Sequence, residues 1–434
     1  MTHRSSRLSG FYRLNIDDRL QTLKRFAELD DRDIELLRKT DALPMASADR
    51  MIENVAGIFS LPVGFAPNFR VDGRDVIVPL VVEEPSVVAA CSNAAKLLRS
   101  GSGIETDTTE PIMIGQIQIC ELPDPESAKA AIVHAAPRLL EKANATNPRL
   151  VERGGGARRI ETRIFPHTAV GPMLVVHLYA DVRDAMGANL INTMVESIAA
   201  ECHELTGGDI CLRILSNLAD ERLVRAVGRV PLAMLERLDL GLDGTTVADR
   251  VVKASVFAEI DPYRAATHNK GIMNGIDSFL IATGQDWRAV EAGAHAFAAR
   301  AGRYTALATW RREGDNLVGR IAVPMQVGTV GGVVHVHPTV GVLLKIAGTR
   351  NADELGRLAT AVGLAQNLAA ILALATEGIQ RGHMSLHARN IAASVGAKEE
   401  QIDAVVAEMI KRRAINRETA ANLFGQLYPT TPLT

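Results

Sequence analysis

Apolar positions along the first hundred residues follow a helical spacing, then a strand-like one, then a helical one again. Residues 12–55 carry apolar side chains three and four positions apart, which predicts helix. Val76–Val82 is a continuous apolar run typical of a buried strand, and residues 86–99 predict a helix with Pro85 at its first position. Glu84 precedes this proline, so its backbone should be extended. This strand-to-helix junction would hold the Glu84 side chain on a rigid scaffold.

The middle of the chain alternates short strand patterns with two long helical ones. The polar, Thr-rich residues 102–110 indicate a crossing into a second domain, and Gly154–Gly156 indicates a turn. Four strands and two helices are predicted beyond the crossing, at Ile112–Cys120, Arg159–Phe165, Met173–Asp181, Ile210–Leu215, Pro125–Thr146 and Ala188–Leu205. Two helices against a small antiparallel sheet make an α+β unit inserted into the chain.

From Leu218 onward the chain returns to long apolar elements. Residues 353–376 are rich in alanine and leucine and predict a long helix. Three shorter helical patterns follow, near residues 383–396, 399–413 and 418–427. Gly378 and Gly382 punctuate the entry to this last unit, which favours a hinged lid.

Composition narrows the class of protein without indicating a reaction. The 434 residues include 48 basic and 50 acidic side chains, a net charge of −2, so no overall attraction to nucleic acid or lipid follows. The 47% hydrophobic content predicts a globular chain of two or three domains. The longest apolar runs, such as Val76–Val82 and Leu368–Ala375, are too short to cross a bilayer, and no secretory signal is evident. We therefore expect a cytoplasmic protein whose four cysteines, at positions 91, 120, 202 and 211, are isolated thiols.

One segment of the middle region suits a phosphate-bearing ligand. The chain has no Walker A sequence and no GxGxxG after a strand, so a conventional Rossmann domain is unsupported. Asp181–Asn189 instead follows a predicted strand directly, and its small residues leave the N–H groups of the next helix uncovered. That arrangement accepts a pyrophosphate. The ordinary alternative is a strand-to-helix turn in which Asp184 caps the helix.

Two further segments bear candidate catalytic groups. Asp261–Asp277 is interpreted as a polar loop in which Lys270, flanked by a glycine, suits charge stabilisation at a closely approached site. A solvated surface loop is the equal alternative. Asp286 is the predicted N-cap of a helix over residues 287–300.

His383 and His387 stand four residues apart near the glycines of the last unit. This spacing can hold zinc, but the adjacent glutamate of an HExxH sequence is missing. We therefore expect no metal, and a single histidine beside a glycine hinge is better interpreted as a proton donor.

The chain resembles the class II, bacterial and soluble, 3-hydroxy-3-methylglutaryl-CoA (HMG-CoA) reductases over essentially its whole length. The resemblance is carried by segments that occur in the family's order: 51–54 (MIEN), 79–86 (PLVVEEPS), 184–189 (DAMGAN), 213–220 (RILSNLAD), 261–277, 282–292 (ATGQDWRAVEA) and 376–384 (TEGIQRGHM).

The resemblance implies an α+β fold in four stretches of chain. A helix-rich large domain would comprise residues 1–110 and 218–376. A small dinucleotide-binding domain, an antiparallel sheet with two helices, would occupy residues 111–217, and a mobile helical flap residues 377–434. The family also implies a homodimer with active sites at its interface, without a membrane or nucleic-acid partner.

The resemblance also implies roles for particular residues. The catalytic residues would be Glu84, Lys270, Asp286 and His383. The substrate-binding residues would be Ser86, Arg264, Thr267, Asn274 and Gln366. The cofactor-binding residues would be Asn147, Asp184, Met186, Gly187, Ala188, Asn189 and Asn217.

The family's reaction interconverts HMG-CoA with mevalonate and coenzyme A by two hydride transfers. Lys270 would stabilise each oxyanion, Glu84 would supply a proton, and His383 would protonate the departing thiolate. By class we expect NAD(H) as cofactor, with NADP(H) as the alternative because Asn147 stands where NAD-preferring members carry an acid. The remaining alternatives are another CoA- or alcohol-dependent dehydrogenase, a non-catalytic CoA-binding protein and a metal hydrolase built on His383 and His387.

Overall fold

The protein is described by a computed structural model that covers residues 4–376, 378, 388–412 and 414–428. The helices before residue 300 are α1 to α10: Ile16–Ala27, Asp31–Arg38, Met45–Ala48, Val87–Arg99, Pro125–Ala145, Pro148–Glu152, Ala188–Thr206, Gly244–Ile260, Pro262–Ala282 and Trp287–Ala298. The later helices are α11 to α15: Pro338–Ala347, Ala352–Ala375, residues 388–394, Glu399–Lys411 and Arg417–Leu427. The strands are β1 to β10: Val63–Val71, Arg74–Val81, Ile104–Thr108, Ile112–Cys120, Gly156–Phe165, Met173–Asp181, Asp209–Ser216, Leu223–Pro231, Ala308–Glu313 and Asn316–Pro324.

The larger sheet is built from both ends of the chain. Its strand order is β2-β1-β3-β8-β10-β9, antiparallel except where β1 and β3 run parallel. Residues 102–110, interpreted as a crossing between domains, also contain the strand β3, which the sequence analysis did not predict. Its threonines belong to a strand because the backbone of Ile104–Thr108 pairs with that of β8, and polar side chains are tolerated on its exposed face.

The core of the large unit lies between this sheet and helices α4, α8, α9 and α12. Helix α12 is buried along most of its length, which explains its all-round apolar composition. Among the described residues it is also the one helix long and apolar enough to cross a membrane, and 67% of that apolar window is buried inside the protein. The sequence analysis predicted this helix at residues 353–376, but its comparison with the thickness of a bilayer counted only the run Leu368–Ala375. The helix is a core element.

The smaller sheet follows the predicted pattern closely. Its order is β5-β6-β4-β7, all antiparallel, and α5 and α7 cover one face with a separate apolar core. The prediction of an α+β fold with two helices on an antiparallel sheet is confirmed. Helix α6 and the larger sheet's strands β1, β8, β9 and β10 were not predicted.

Two of the four cysteines lie near one another on the smaller sheet. A bulge in the pairing of β4 with β7 brings Cys211 beside Cys120. This contact raises the pKa of the Cys211 thiol to about 11, because it favours the neutral form. All four cysteines are free thiols.

The two ends of the chain have small cores of their own. Helices α1, α2 and α11 pack on the outer face of β2 around Leu23 and Ile346. Described residues after 387 form a separate cluster of helices α13 to α15, centred on Val405 and Met409. Residues 377–387, apart from Gly378, lie outside the described part of the chain.

Helix α9 lies unusually close to α12 because glycines face the contact. A Cβ added at Gly275 would stand 2.8 Å from Gln366 Cβ and 3.2 Å from Val362 O. A Cβ at Gly271, one turn earlier on α9, would meet only Ala370 Cβ at 3.7 Å, an ordinary contact. The helix separation is therefore set at Gly275.

Alanine substitutions at Gly271 and Gly275 should distinguish the effect of helix packing on the free energy of unfolding from that of helix propensity. Gly271→Ala should raise the free energy of unfolding by up to about 1 kcal/mol, because alanine is the better helix former. Gly275→Ala should lower it by about 1–3 kcal/mol, because overpacking outweighs the same gain. Urea unfolding of both variants measures the difference, and equal effects would show that the close approach does not limit stability.

Candidate active site

The turn between β2 and α4 carries the first candidate residues. Helix α4 begins at Val87, so Pro85 precedes the helix and is not its first residue as predicted. Ser86 is the N-cap with φ 75° and ψ −18°, a left-handed conformation that costs a non-glycine residue about 1–3 kcal/mol. The Ser86 hydroxyl is buried and has no hydrogen-bond partner among the described residues. A strained backbone with an unused hydroxyl is typical of a ligand site.

The segment interpreted as a polar loop is the helix α9, Pro262–Ala282. Asp261 caps it by accepting from the Tyr263 N–H at 3.2 Å, and Pro262 fits the first position. The loop interpretation was wrong because the polar residues lie on one face at helical spacing, while apolar residues fill the opposite face. The polar face carries Arg264, Thr267, Lys270, Asn274 and Asp277.

The buried face of α9 also contains polar groups, which fix its rotation. His268 Nε2 lies 3.1 Å from both Ala308 O and Asn367 Nδ2. Asn269 donates to Thr305 O at 2.9 Å and accepts from the Leu307 N–H at 2.9 Å. Burial lowers the pKa of His268 to about 4, so its ring is neutral at pH 7. These hydrogen bonds orient α9 so that its polar face lies toward the β2–α4 turn.

Lys270 and Glu84 are brought together from sequence positions 186 residues apart. Lys270 Nζ lies 2.9 Å from Glu84 Oε2, a charge-assisted hydrogen bond. The side chains are 61% and 38% exposed, so the pair is open to an incoming ligand in the single chain. The arrangement places a cation and a carboxyl group side by side, as polarisation and protonation of a carbonyl oxygen require.

Arg264 supplies a second cation on the same face of α9. Burial lowers the pKa of its guanidinium, and none of the described carboxylates forms an ion pair with it. A half-buried arginine without an acidic partner is suited to binding an anionic ligand group. On the same face of α9, Thr267 lies between Arg264 and Lys270, and Asn274 lies one turn beyond Lys270.

Gln366 of α12 lies directly behind Gly275 of α9. It is 5% exposed, and its Oε1 has no hydrogen-bond partner among the described residues. A buried amide oxygen without a partner is costly, so a ligand donor is the natural complement.

Asp286 is the N-cap of α10 and accepts from the Ala289 N–H at 3.1 Å, as the sequence analysis predicted. Its side chain is 44% exposed, and its nearest described cation is Arg288 at 3.8 Å. Within one chain Asp286 makes no hydrogen bond to Lys270 or Glu84. The structure therefore brings together two of the four proposed catalytic residues; His383 lies outside the described residues.

Asp277 continues the polar stripe of α9 and was not singled out from the sequence. Its Oδ1 is buried without a partner among the described residues. Burial, and secondarily the nearby Glu291, raise the pKa of this carboxyl to about 7. The sequence signal was available in its spacing of seven residues from Lys270, but the loop interpretation concealed it.

Helix α7 begins without a side-chain cap. Gly187 is the N-cap, with φ 108°, and its position offers no side-chain hydrogen bond to the helix. Asp184 instead accepts from the Ala352 N–H at 3.0 Å, at the start of α12. The alternative in which Asp184 caps α7 is wrong, because three residues separate Asp184 from the start of the helix. The N–H groups of the first turn, at Ala188 and Asn189, consequently have no side-chain cap.

The other proposed cofactor residues lie around the smaller sheet. Met186 belongs to the turn before α7, and Asn147 caps α6 by accepting from the Leu150 N–H at 3.1 Å. Asn217 follows β7, and its carbonyl accepts from Gln326 Nε2 at 2.9 Å. The residues described contain no cluster of three potential metal ligands.

Comparison with known proteins agrees with this arrangement. A family model described as hydroxymethylglutaryl-coenzyme A reductase matches residues 15–388. A reductase of that name from Archaeoglobus fulgidus is 48% identical over 98% of this chain and 95% of its own. A probable reductase from Borreliella burgdorferi is 33% identical over 88% of this chain and 86% of its own.

Solved structures give the same result. The HMG-CoA reductase of Streptococcus pneumoniae superposes with a TM-score of 0.82 at 41% identity, covering 96% of this chain and 99% of that one. A class II reductase structure from the same organism, bound to NADPH in open conformations, gives 0.81 at 42% identity, covering 84% and 99%. The fold and site are thus those of an oxidoreductase family. The chain belongs to the hydroxymethylglutaryl-coenzyme A reductases, and its likeness to their second class is confirmed.

Asp277 should make stability depend on pH. The unfolded chain loses the Asp277 proton near its ordinary value of 3.8, whereas the folded chain keeps it to about pH 7. The stability from this group is therefore present below pH 4 and declines as pH rises toward 7. Asp277→Asn should gain about 1–2 kcal/mol over the wild type between pH 5 and pH 8.5, allowing for partial exposure. Urea unfolding at both values tests this; a constant difference would contradict the raised pKa.

Proposed function

We propose that this chain interconverts HMG-CoA with mevalonate and coenzyme A, using a nicotinamide cofactor. The observation that carries the proposal is the 2.9 Å contact of Lys270 with Glu84, on a helix face that also presents the unpaired Arg264. The family to which the chain belongs supports the reaction and its substrate. Residue roles below are part of the proposal.

Lys270 is proposed to stabilise the oxygen that becomes negatively charged. Reduction of a thioester or an aldehyde places charge on the carbonyl oxygen, and an ammonium group held in place stabilises it. Glu84 accepts a hydrogen bond from Lys270 and so stands within one hydrogen bond of the same oxygen. In its protonated form the Glu84 carboxyl supplies the proton. The pair therefore serves both reductions, of the thioester and of the aldehyde.

Arg264 is proposed to hold the free carboxylate of the substrate. Its guanidinium is half-buried and offers parallel N–H donors, which match the two oxygens of a carboxylate. Ser86, Thr267, Asn274 and Gln366 provide further hydrogen bonds. Two of these groups, the Ser86 hydroxyl and Gln366 Oε1, are buried without a hydrogen-bond partner among the described residues. Their unmet hydrogen-bonding capacity supports the binding of a ligand.

A cavity of about 1570 Å³ suits the CoA portion of the substrate. It extends from the first turn of α4, beside Ser86, to the N-terminal helices, and apolar side chains line much of it. Its charged lining is mostly basic: Arg7, Arg13, Arg19, Lys39 and Lys96, against the single acid Asp41 among the described residues. An apolar channel with basic walls fits a pantetheine arm that ends in phosphates.

The start of α7 is proposed to bind the pyrophosphate of the cofactor. Its first-turn N–H groups lack a side-chain cap, and Gly187 removes a side chain that would cover them. A nicotinamide ring, when bound, supplies the hydride. The chain's part is to hold the dinucleotide at Asp184, Met186–Asn189 and Asn217, with Asn147 toward the adenosine end.

The proposed role of Asp286 requires either closure of the molecule or a second subunit. Because Asp286 does not reach Lys270 within one chain, it acts either after closure of the molecule or from a partner subunit. We propose a homodimer with sites at its interface, which would also cover the exposed Lys270. His383 is proposed to approach with the C-terminal unit and protonate the CoA thiolate.

The decisive assay follows nicotinamide oxidation with purified protein and HMG-CoA. Two equivalents of NAD(P)H should be consumed for each HMG-CoA, and mevalonate, CoA and NAD(P)+ together should give the reverse reaction. Lys270→Ala should lower kcat by at least about a hundredfold for both HMG-CoA and mevaldehyde, because both reductions need the cation. Lys253→Ala, an exposed lysine on the neighbouring helix α8, is the matched control and should retain wild-type rates.

His383→Gln is the companion variant of that assay. It should abolish reduction of the thioester and spare that of mevaldehyde, since only the first releases a thiolate. Equal loss on both substrates would remove the assigned role of His383, and full activity of Lys270→Ala would remove that of Lys270.

Cofactor choice is proposed to depend on the charge at position 147. We expect NAD(H), with NADP(H) as the alternative because a neutral amide does not repel a 2′-phosphate. Asn147→Asp should lower kcat/KM for NADPH at least about tenfold relative to NADH, because a carboxylate near a phosphate is repulsive. The α6 cap survives because aspartate caps equally well. Asn147→Ser keeps a capping side chain without the charge and should leave the ratio of kcat/KM for NADPH to that for NADH unchanged. If this ratio fell equally in Asn147→Asp and Asn147→Ser, the charge argument would be contradicted.

A further inference from the structure

Arg222 is a buried cation at the junction of the two sheets. It follows β7 and immediately precedes β8, where the chain passes from the smaller sheet to the larger, and it is 6% exposed. Its guanidinium donates to Ala185 O at 3.1 Å, Met186 O at 3.0 Å and Val327 O at 2.6 Å. Three carbonyls from two distant segments are thus held by one side chain.

No described carboxylate forms an ion pair with Arg222, which is unusual for a buried charge. Burial lowers the pKa of its guanidinium to about 10, while Asp181 and Asp184 oppose this from a longer range. A buried cation is costly, and an apolar side chain of similar size would fill the space at lower cost. The planar group with five donors, however, can bind three carbonyls at once, which no apolar residue can do.

The segment held by Arg222 from the large unit is residues 325–328. Gly328 lies so close to the turn before α7 that an added Cβ would stand 2.3 Å from Met186 N. Gln326 of the same segment is fully buried and donates to Asn217 O at 2.9 Å and to Ala289 O at 2.7 Å. The Gly328 N–H donates to Gln285 Oε1 at 2.9 Å, next to Asp286.

These contacts join the proposed cofactor turn to the N-terminus of α10. Arg222 connects residues 185 and 186 to Val327, and Gln326 and Gly328 connect onward to Ala289 and Gln285. Asp286 caps the same helix end through Ala289. The turn that would hold the dinucleotide is therefore fixed relative to Asp286 through a short chain of buried hydrogen bonds.

We propose that Arg222 is a positioning residue for the nicotinamide cofactor, clamping the turn at residues 185–186 onto residues 325–328 so that the start of α7 faces the catalytic groups. This rests on the proposed function. Arg222 does not touch the cofactor; it acts through the two carbonyls that precede Gly187. Its loss affects dinucleotide binding before it affects binding of HMG-CoA, whose proposed contacts lie on α4, α9 and α12.

The test measures binding rather than turnover. ADP-ribose, which contains the pyrophosphate without the nicotinamide, and HMG-CoA are titrated calorimetrically into the full chain. The variants are Arg222→Met and Arg222→Lys, with circular dichroism to verify folding. Arg99→Met is the matched control, since Arg99 is also largely buried but pairs with Asp75 at 2.8 Å in the N-terminal part of the large unit.

The expected result is a dissociation constant for ADP-ribose raised at least about tenfold in Arg222→Met, with that for HMG-CoA within twofold. Arg222→Lys should fall between this variant and the wild type, since one ammonium group cannot reach all three carbonyls. Arg99→Met should lose stability but bind ADP-ribose normally. If Arg222→Met does not fold, Arg222→Lys decides. Its dissociation constant for ADP-ribose should rise about threefold, while that for HMG-CoA stays within twofold of the wild-type value.

Two outcomes overturn the inference. Unchanged ADP-ribose binding by a folded Arg222→Met shows that the clamp does not position the turn. Equal weakening of both ligands shows a general structural role. A wild-type protein that binds no ADP-ribose would instead refute the proposed function itself, and the inference with it.

Discussion

The packing of α9 against α12 is the constraint on which the site depends. Gly275 allows the two helices to approach, and Gln366 fills the space directly behind it. His268 and Asn269 use their hydrogen bonds on the inner face, so α9 cannot rotate without leaving buried polar groups unpaired. This fixed rotation turns Lys270 toward the β2–α4 turn, where it meets Glu84, and leaves Arg264 on the same face without an acidic partner.

The second constraint is the junction between the sheets. Each sheet has its own apolar core, so hydrophobic burial alone would leave their relative position free. Polar contacts define it instead, through Arg222, Gln326 and the Asp184 carboxylate at the start of α12. Hydrogen bonds are directional where apolar contacts are not, which suits a boundary that must place a dinucleotide beside a substrate held on another domain.

Chemistry at the site requires opposite charges to remain available to a ligand. Lys270 and Glu84 lie 2.9 Å apart and are both partly exposed, so a ligand can reach either group. Arg264 and the hydroxyl of Ser86 have no such partner in the part of the chain that the structure describes, and Ser86 is in addition held in a left-handed backbone conformation. Unused donors on rigid elements are therefore concentrated where a carboxylate and a carbonyl would have to be recognised together.

The sequence determined the smaller sheet almost completely. The ends of β4 and β6 were predicted at the observed residues, because each strand is rich in β-branched and other apolar residues and is bounded by polar or turn residues. The N-cap at Asp286 was also a local signal. The long motifs indicated the family and, through it, the candidate residues, although their roles remain predictions.

What only the tertiary structure decided concerns contacts between distant segments. The helix α9 was mistaken for a loop because it is rich in polar residues. Two of them, His268 and Asn269, are buried against Asn367 of α12 and residues 305–308, which a local pattern cannot reveal. Strand β3 exists because β8 pairs with it. The Asp184 carboxylate accepts from the N–H of Ala352, 168 residues away, and not from the helix that follows it. Local preference amounts to a few tenths of a kcal/mol for each residue, and burial with hydrogen bonding outweighs it wherever the chain returns to itself.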